Sequence, residues 1–356
     1  MMSIIKLHLR RRLLLGCSFF LSGIFLSKYV QNNHHLLEKS WIASSRNSIQ
    51  VLFSALLNPI PFSVGDLLYG LLTLAIIRQL AKIRQQGLKT AVNFFVWSGL
   101  LYLIFQVQWG FNYLKPPVFP IEAPYKSYDQ KALIRTANYL VEQTNTIHTE
   151  LTRHPDSVPK IPYTKAEIRT LIEAAPYFQS FDTSVQLKES LWSLVLSYMG
   201  YAGYVNPWTL EAQINARIPK MSYTVTAAHE LQHQLGIAPE NEANFGAFLA
   251  TTTHPDRWIS FTGYNFALRY TLSAVWKTAP EKAKIIQAQI HPGIIKGFRE
   301  QAEFWNTYDN PLEDYFKQSY DQFLKAQGQP LGIRSYGAMV QLIIQHFEKS
   351  ATEVSN

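Results

Sequence analysis

Between residues 227 and 250 the chain reads AAHELQHQLGIAPENEANFGAFLA, in which His229, Glu230 and His233 stand in the order H-E-x-x-H. On an α-helix His229 and His233 lie one turn apart on the same face, so their imidazoles can grip a single Zn2+. Glu230 falls on the adjoining face. A carboxylate there can take a proton from a water that the metal activates, without ligating the metal itself.

Two ligands do not complete such a site, and the next residues must supply a third. The motif helix is expected to begin near Tyr223 or Thr224 and to stop at Gly236, a residue suited to the C-terminal cap. Pro239 favours a helix's first turn, so a second helix restarts almost at once and returns close to the first. A third histidine three residues after Gly236, as in the metzincin pattern, is excluded because that position is Pro239. The candidates are Glu240 and Glu242. Glu242, Phe245, Gly246 and Leu249 share one helical face, which puts Glu242 at the head of an apolar stripe. A carboxylate aimed at the interior calls for a cation, whereas Glu240 in the first turn is explained by the helix dipole and solvent. Glu242 is therefore favoured as the third ligand, with Asn244 as a supporting neighbour.

The elements that must hold this pair of helices are mostly helical. Residues 129–152 carry apolar positions at helical spacing, and Thr164-x-x-Glu167 is a capping box that opens a helix over 164–174. Tyr198 to Val205 and Ala212 to Ile218 flank the turn-forming Asn206-Pro207-Trp208-Thr209 and read as a β-hairpin. In peptidases of the zincin type such a β-element holds an extended substrate by strand addition. Helices are expected over 259–278, 281–289, 293–306, 311–326 and 335–349. Tyr336, in the loop before the last of these, is a candidate for stabilising an oxyanion. His254, His291 and His346 each stand alone and are read as structural.

Charge and hydropathy assign the first third of the chain to a different environment. The 356 residues carry a formal charge of +8, yet residues 1–90 hold 11 Lys and Arg against only Glu38 and Asp66, a net +9, which leaves −1 for the rest. Basic residues confined to that part set membrane topology rather than bind nucleic acid, for which no basic, aromatic-interleaved patch is present. Apolar runs at 13–30, 62–80 and 91–110 are each long enough to span a bilayer of about 30 Å. Lys6 and Arg10 to Arg12 precede the first run, and Arg78, Lys82, Arg84 and Lys89 lie between the second and third, so both regions are expected on the cytoplasmic side. Asp66, near the start of the second run, reads as a helix-start residue rather than an ion path. The only cysteine, Cys17, permits neither an intramolecular disulfide nor a thiolate zinc site.

Several motifs together resemble a family of uncharacterised bacterial membrane proteins, domain of unknown function 3810. They are Pro61-Phe62-Ser63-Val64-Gly65-Asp66-Leu67-Leu68-Tyr69, Trp109-Gly110-Phe111-Asn112-Tyr113 and Gly203-Tyr204-Val205-Asn206-Pro207-Trp208-Thr209-x-Glu211-Ala212-Gln213. The motif helix with Glu242-Ala243-Asn244-Phe245, and Ser335-Tyr336-Gly337, complete the set. The resemblance covers nearly the whole chain. It implies a site similar in kind to that of the gluzincins, with His229, His233 and Glu242 as zinc ligands and Glu230 as base.

The expected architecture is mainly α. A membrane region of three transmembrane helices (1–112) is followed by a Pro-rich linker (113–124) and a zincin-like, gluzincin-type domain with a small β-hairpin (125–356). The expected function is a membrane-anchored, zinc-dependent metalloendopeptidase of the bacterial cytoplasmic membrane. Its N-terminus would be cytoplasmic, its C-terminal domain periplasmic, and its partners the lipid bilayer and a protein or peptide substrate. The alternative is a catalytically silent protein of the same fold that serves envelope assembly or protein interaction.

Overall fold

The computed structural model describes residues 2–33, 41–121, 129–181 and 184–354; the side chains at 2–6, 41–48, 333, 335–337 and 350–354 lie outside the description. The chain divides into two compact units, residues 1–116 with 206–211, and residues 117–205 with 212–356.

Four helices make up most of the first unit: α1 (Met2–Asn32), α2 (Trp41–Leu57), α3 (Val64–Ala81) and α4 (Ile83–Gln108). Three of them, over Leu7–Asn32, Val64–Ala81 and Ile83–Gln108, are long and apolar enough to cross a membrane, in agreement with the three apolar runs of the sequence. The third begins earlier than its apolar run because a helical turn precedes a kink at Gln86, whose φ of −136° and ψ of 38° leave the helical region. α2 falls in a stretch that its polar residues make look like a connection, but Ile49, Val51, Leu52, Phe53 and Leu56 suffice to form a helix. The start of α3 explains Asp66 as a helix-start residue. Ser63 caps the helix by accepting from the Asp66 N–H at 2.9 Å, and Glu211 takes the N–H groups of Val64 (3.2 Å) and Gly65 (2.6 Å).

The second unit is mainly helical around one small mixed sheet. Its elements are α5 (Gln130–Thr152), α6 (Lys165–Glu173), α7 (Pro176–Gln179), β1 (Leu187–Glu189), α8 (Ser193–Met199), β2 (Gly203–Val205) and β3 (Ala212–Ile214). After them come α9 (Lys220–Gln234), α10 (Glu240–Thr252), α11 (Arg257–Thr278), α12 (Pro280–Gln287), α13 (Pro292–Asn306), α14 (Glu313–Ala326) and α15 (Ser335–Val354). The sheet order is β1-β3-β2. β2 and β3 form the expected antiparallel hairpin, with Tyr204 opposite Gln213, and β1 adds in parallel with Lys188 opposite Gln213. The strands are shorter than the sequence reading, because Ser193–Met199 is helical where Tyr198 was assigned to a strand.

α9 and α10 lie at the junction of two cores. Tyr223, Val225, Ala227, Ala228 and Leu231 of α9 join Ile168, Ile172, Leu187 and Ile214, whereas Phe245 and Phe248 of α10 join Leu140, Phe261, Leu268 and Ile343. The capping box at Thr164 and Glu167 is present in both halves.

His291, alone in the sequence reading, has a histidine partner. His291 faces buried His148, Nδ1 to Nδ1 at 3.0 Å, while Nε2 of His148 donates to the Ser157 carbonyl at 2.8 Å. That arrangement has room for one shared proton. Burial lowers the affinity of both rings for a second proton, with His291 adding to the effect on His148. Each ring therefore holds its extra proton less tightly folded than unfolded, so stability is complete above the ordinary imidazole value of 6.5 and falls as pH drops below it. The urea midpoint of the full chain is expected to fall between neutral pH and about pH 5. In the His148→Gln/His291→Gln double variant the fall should be smaller, and an identical fall would remove the pair from the explanation.

Candidate functional site

The motif helix ends through a left-handed residue. Gly236 adopts φ 86°, which a residue with a Cβ enters only with strain, and its N–H bonds to the His233 carbonyl at 2.7 Å. The chain then needs only Ile237, Ala238 and Pro239 before α10 begins at Glu240. Gly246 lets the two helices pack closely, since a Cβ there would stand 2.5 Å from the Gln232 side chain.

This geometry brings His229, His233 and Glu240 together. One ligand atom from each lies within 4.8 Å of the others, an arrangement that could hold a metal ion. Glu240 Oε2 is 3.3 Å from His229 Nε2 and 3.6 Å from His233 Nε2. His233 is oriented from behind, because its Nδ1 donates to the Ile237 carbonyl at 2.7 Å and so turns Nε2 toward the carboxylate. The two rings stand nearly perpendicular, with centroids 4.6 Å apart. Asn244, the neighbour named from the sequence, is buried and lines the same cavity as His229.

Glu242 is not part of the cluster, and this corrects the sequence expectation. It is core-facing as the stripe implies, but it is satisfied by backbone donors rather than by a cation. Its Oε2 accepts from the N–H groups of Val118 (2.7 Å) and Phe119 (3.3 Å). Glu240, expected in solvent from the sequence, is buried as Glu242 is, at 1% exposure against 5%. The reason is directional. Helical side chains lean toward the helix N-terminus, so a residue at the first position of α10 projects back past its end, toward α9.

Tyr320 of α14 completes the setting. Its hydroxyl donates to Glu240 Oε1 at 2.5 Å and leaves Oε2 to the imidazoles. Nothing in the spacing of the sequence marks Tyr320, which lies 80 positions further on. Tyr336 can be placed in α15, but its side chain lies outside the described residues.

The electrostatics follow from burying four ionisable groups together. Burial resists the charged form of Glu240, yet His233 and His229 outweigh it and hold this carboxyl well below the usual range. Burial likewise opposes the charge on His233, but the Glu240 carboxylate pushes it up to about 9. His229 moves down because burial outweighs its attraction to Glu240. Burial pushes Glu230 up to about 8, His233 opposing and Glu240 adding to the rise. Oε2 of Glu230 is buried without a hydrogen-bond donor.

The cluster opens on a cavity of about 440 Å³, whose lining includes His229, Glu230, Phe266, Arg269 and Trp305 together with Tyr201 to Gly203 at the start of β2. β2 is an edge of the sheet. Gly203 packs directly on the catalytic candidate, since a Cβ there would stand 2.6 Å from Glu230 Oε1 and 2.8 Å from the Gln213 carbonyl.

Residues 46–344 match the family described as protein of unknown function (DUF3810). The chain belongs to this family. The DUF3810 match takes in two of the three candidate spans whole and every residue of the His229, His233 and Glu240 cluster. No curated protein and no solved structure matches the chain.

Removing the Glu242 carboxylate leaves two partly buried N–H groups unsatisfied, at a cost of about 1–3 kcal/mol. The Glu242→Ala variant is therefore expected to unfold at lower urea than the parent chain. An unchanged midpoint would show that the Val118 and Phe119 contacts contribute nothing.

Proposed function

We propose that this DUF3810 protein is a membrane-anchored, zinc-dependent peptidase with a zincin-like domain, in which His229, His233 and Glu240 hold the metal and Glu230 acts as the base. The observation that carries the reading is the convergence of two imidazoles and one carboxylate on a shared point beside a fourth, unpaired carboxylate.

The donor set fits zinc. Two ligands at about 2.0–2.1 Å from a tetrahedral centre stand roughly 3.3–3.4 Å apart, and the His229 and His233 nitrogens lie 3.3 and 3.6 Å from Glu240 Oε2. The second nitrogen of His233 is anchored to a carbonyl and the second oxygen of Glu240 to a phenol, the outer support that metal ligands need. Zinc held there would supply Lewis acidity toward a carbonyl oxygen and a water. Glu230, on the cavity side, accepts the proton of the attacking water and passes it to the leaving amine. A basic Glu230 must be ionised, and a nearby dication favours that form against the burial that now raises its pKa. The edge strand β2, which runs into the cavity lining, suits an extended peptide added as a further strand.

The retention of Glu230 also separates this reading from a silent scaffold. A purely structural metal site has no use for a buried, unpaired carboxylate held against Gly203. The full chain in detergent is expected to bind one zinc, to lose it in Glu240→Ala and to keep it in Glu242→Ala. Glu230→Gln should retain zinc and lose cleavage of an unfolded protein substrate. Absence of zinc from the parent chain, or its retention in Glu240→Ala, would overturn the ligand set; cleavage by Glu230→Gln at the parent rate would overturn the base.

The distribution of Lys and Arg supports an orientation with the N-terminus in the cytoplasm of a bacterium and the catalytic unit beyond the cytoplasmic membrane. Alkaline phosphatase fused after residue 120 should be active, because it folds only outside the cytoplasm. An inactive phosphatase with an active cytoplasmic reporter at the same position would reverse the topology.

A further inference from the structure

Helix α8 is built inside out for a protein surface in water. Leu191, Leu194, Val195 and Tyr198 recur at i, i+3, i+4 and i+7 and form its outward stripe, exposed by 57%, 49%, 48% and 48%. Trp192 beside them is 42% exposed. The buried face carries Leu196 together with two serines, Ser193 and Ser197. Ser193 Oγ donates to the Ser190 carbonyl and accepts from the Ala216 N–H, and Ser197 Oγ donates to the Ser193 carbonyl and accepts from Asn215 Nδ2. Residues 190–199, SLWSLVLSYM, contain no charge. A second element extends the surface, since Asn310 bonds the Tyr198 carbonyl at 2.7 Å and Leu312 two positions on is 62% exposed.

The chain itself brings a bilayer within reach of this surface. Asn206 folds with the first unit, where its N–H bonds to the carbonyl of Glu211, the residue whose carboxylate holds the first N–H groups of the candidate span Val64–Ala81. Tyr198 precedes Asn206 by eight residues, so the chain between α8 and Asn206 can reach at most about 28 Å fully extended.

We propose that the α8 surface sits in the headgroup and upper acyl region of the membrane that holds the three spans. An uncharged stripe of Leu and Val flanked by Trp and Tyr is the composition of an interfacial helix, and internal hydrogen bonding of its serines leaves the outer face free of polar groups. The surface makes the catalytic unit a body seated on lipid instead of one hanging from a tether. This inference depends on the membrane spans and is independent of the peptidase reading.

The test uses the full chain in nanodiscs of mixed phosphatidylcholine and phosphatidylglycerol, with Cys17→Ser removing the native thiol. A nitroxide is attached at Val195→Cys, at Leu194→Cys as a second reporter, and at Ile285→Cys as a control on exposed α12. At 194 and 195 the ratio of collision with oxygen to collision with a water-soluble nickel chelate should be several-fold higher than at 285. Nickel access equal to that at 285 would show a surface in water and overturn the proposal. Low access to both probes would show a protein contact and also overturn it, with dipolar broadening identifying a second copy as the occupant.

Discussion

A buried carboxylate set between two buried imidazoles is the constraint around which the second unit is arranged. Moving even one charged group out of water costs several kcal/mol after relaxation, and His229, Glu230, His233 and Glu240 are all less than a tenth exposed. Such a group persists only when neighbours supply what water would have supplied. Glu240 draws on the two imidazoles at one oxygen and on Tyr320 at the other. His233 draws on Glu240 and on the Ile237 carbonyl. Those opposing shifts, Glu240 down and His233 up, mean that a proton on the imidazole balances the carboxylate. A dication would take the place of that proton, so metal binding and proton release are linked at this site.

Placing these groups requires two helices that meet almost without a connection. The left-handed Gly236 turns the chain, Pro239 caps the start of the next helix, and Gly246 lets that helix approach Gln232 of the first. Each helix is also tied outward to the larger fold. α9 is embedded among α6, β1 and β3, and α10 among α5, α11 and α15, so the ligands are fixed by two separate cores. Rigid support of this kind is what holds a ligand set without reorganisation.

Much of this was legible in the sequence, and the misses share a physical cause. Periodicity located the helices from 130 onward, the three spans and the hairpin, and the spacing of His229, Glu230 and His233 located the centre of the site. The rule that a core-facing carboxylate needs a cation placed Glu242 correctly in the interior, but the structure leaves it outside the His229, His233 and Glu240 cluster. Backbone N–H groups from a segment more than a hundred residues earlier satisfy it, and backbone donors leave no trace in residue type. Glu240 looked like a solvated first-turn acid because periodicity reports the face of a helix and says nothing of what lies beyond its end. Tyr320 and β1 escaped for a related reason, since both are defined by partners distant in sequence. α8 escaped as well, and its last two residues, Tyr198 and Met199, fall in the stretch that the sequence assigns to the first strand of the hairpin.

The Glu242 contact also explains the composition of the segment that precedes the catalytic unit. Lys115-Pro116-Pro117-Val118-Phe119-Pro120 has three prolines in five positions from 116 to 120, and proline carries no N–H. Within those five positions only Val118 and Phe119 can donate, and both donate to Glu242. The prolines stiffen the segment in an extended form and so lower the entropy lost in fixing it. Phe119 adds an edge-on contact to Phe245, with ring centroids 5.0 Å apart, while the Val118 side chain stays exposed. Side-chain identity at 118 is therefore unconstrained by this contact, but a proline at either 118 or 119 would remove a donor. Glu242 stands two residues after Glu240 in the first turn of α10, so the segment is bonded to the same helical turn that presents a carboxylate to His229 and His233. The residue that the sequence put forward as a ligand thus ties down the helix that carries Glu240.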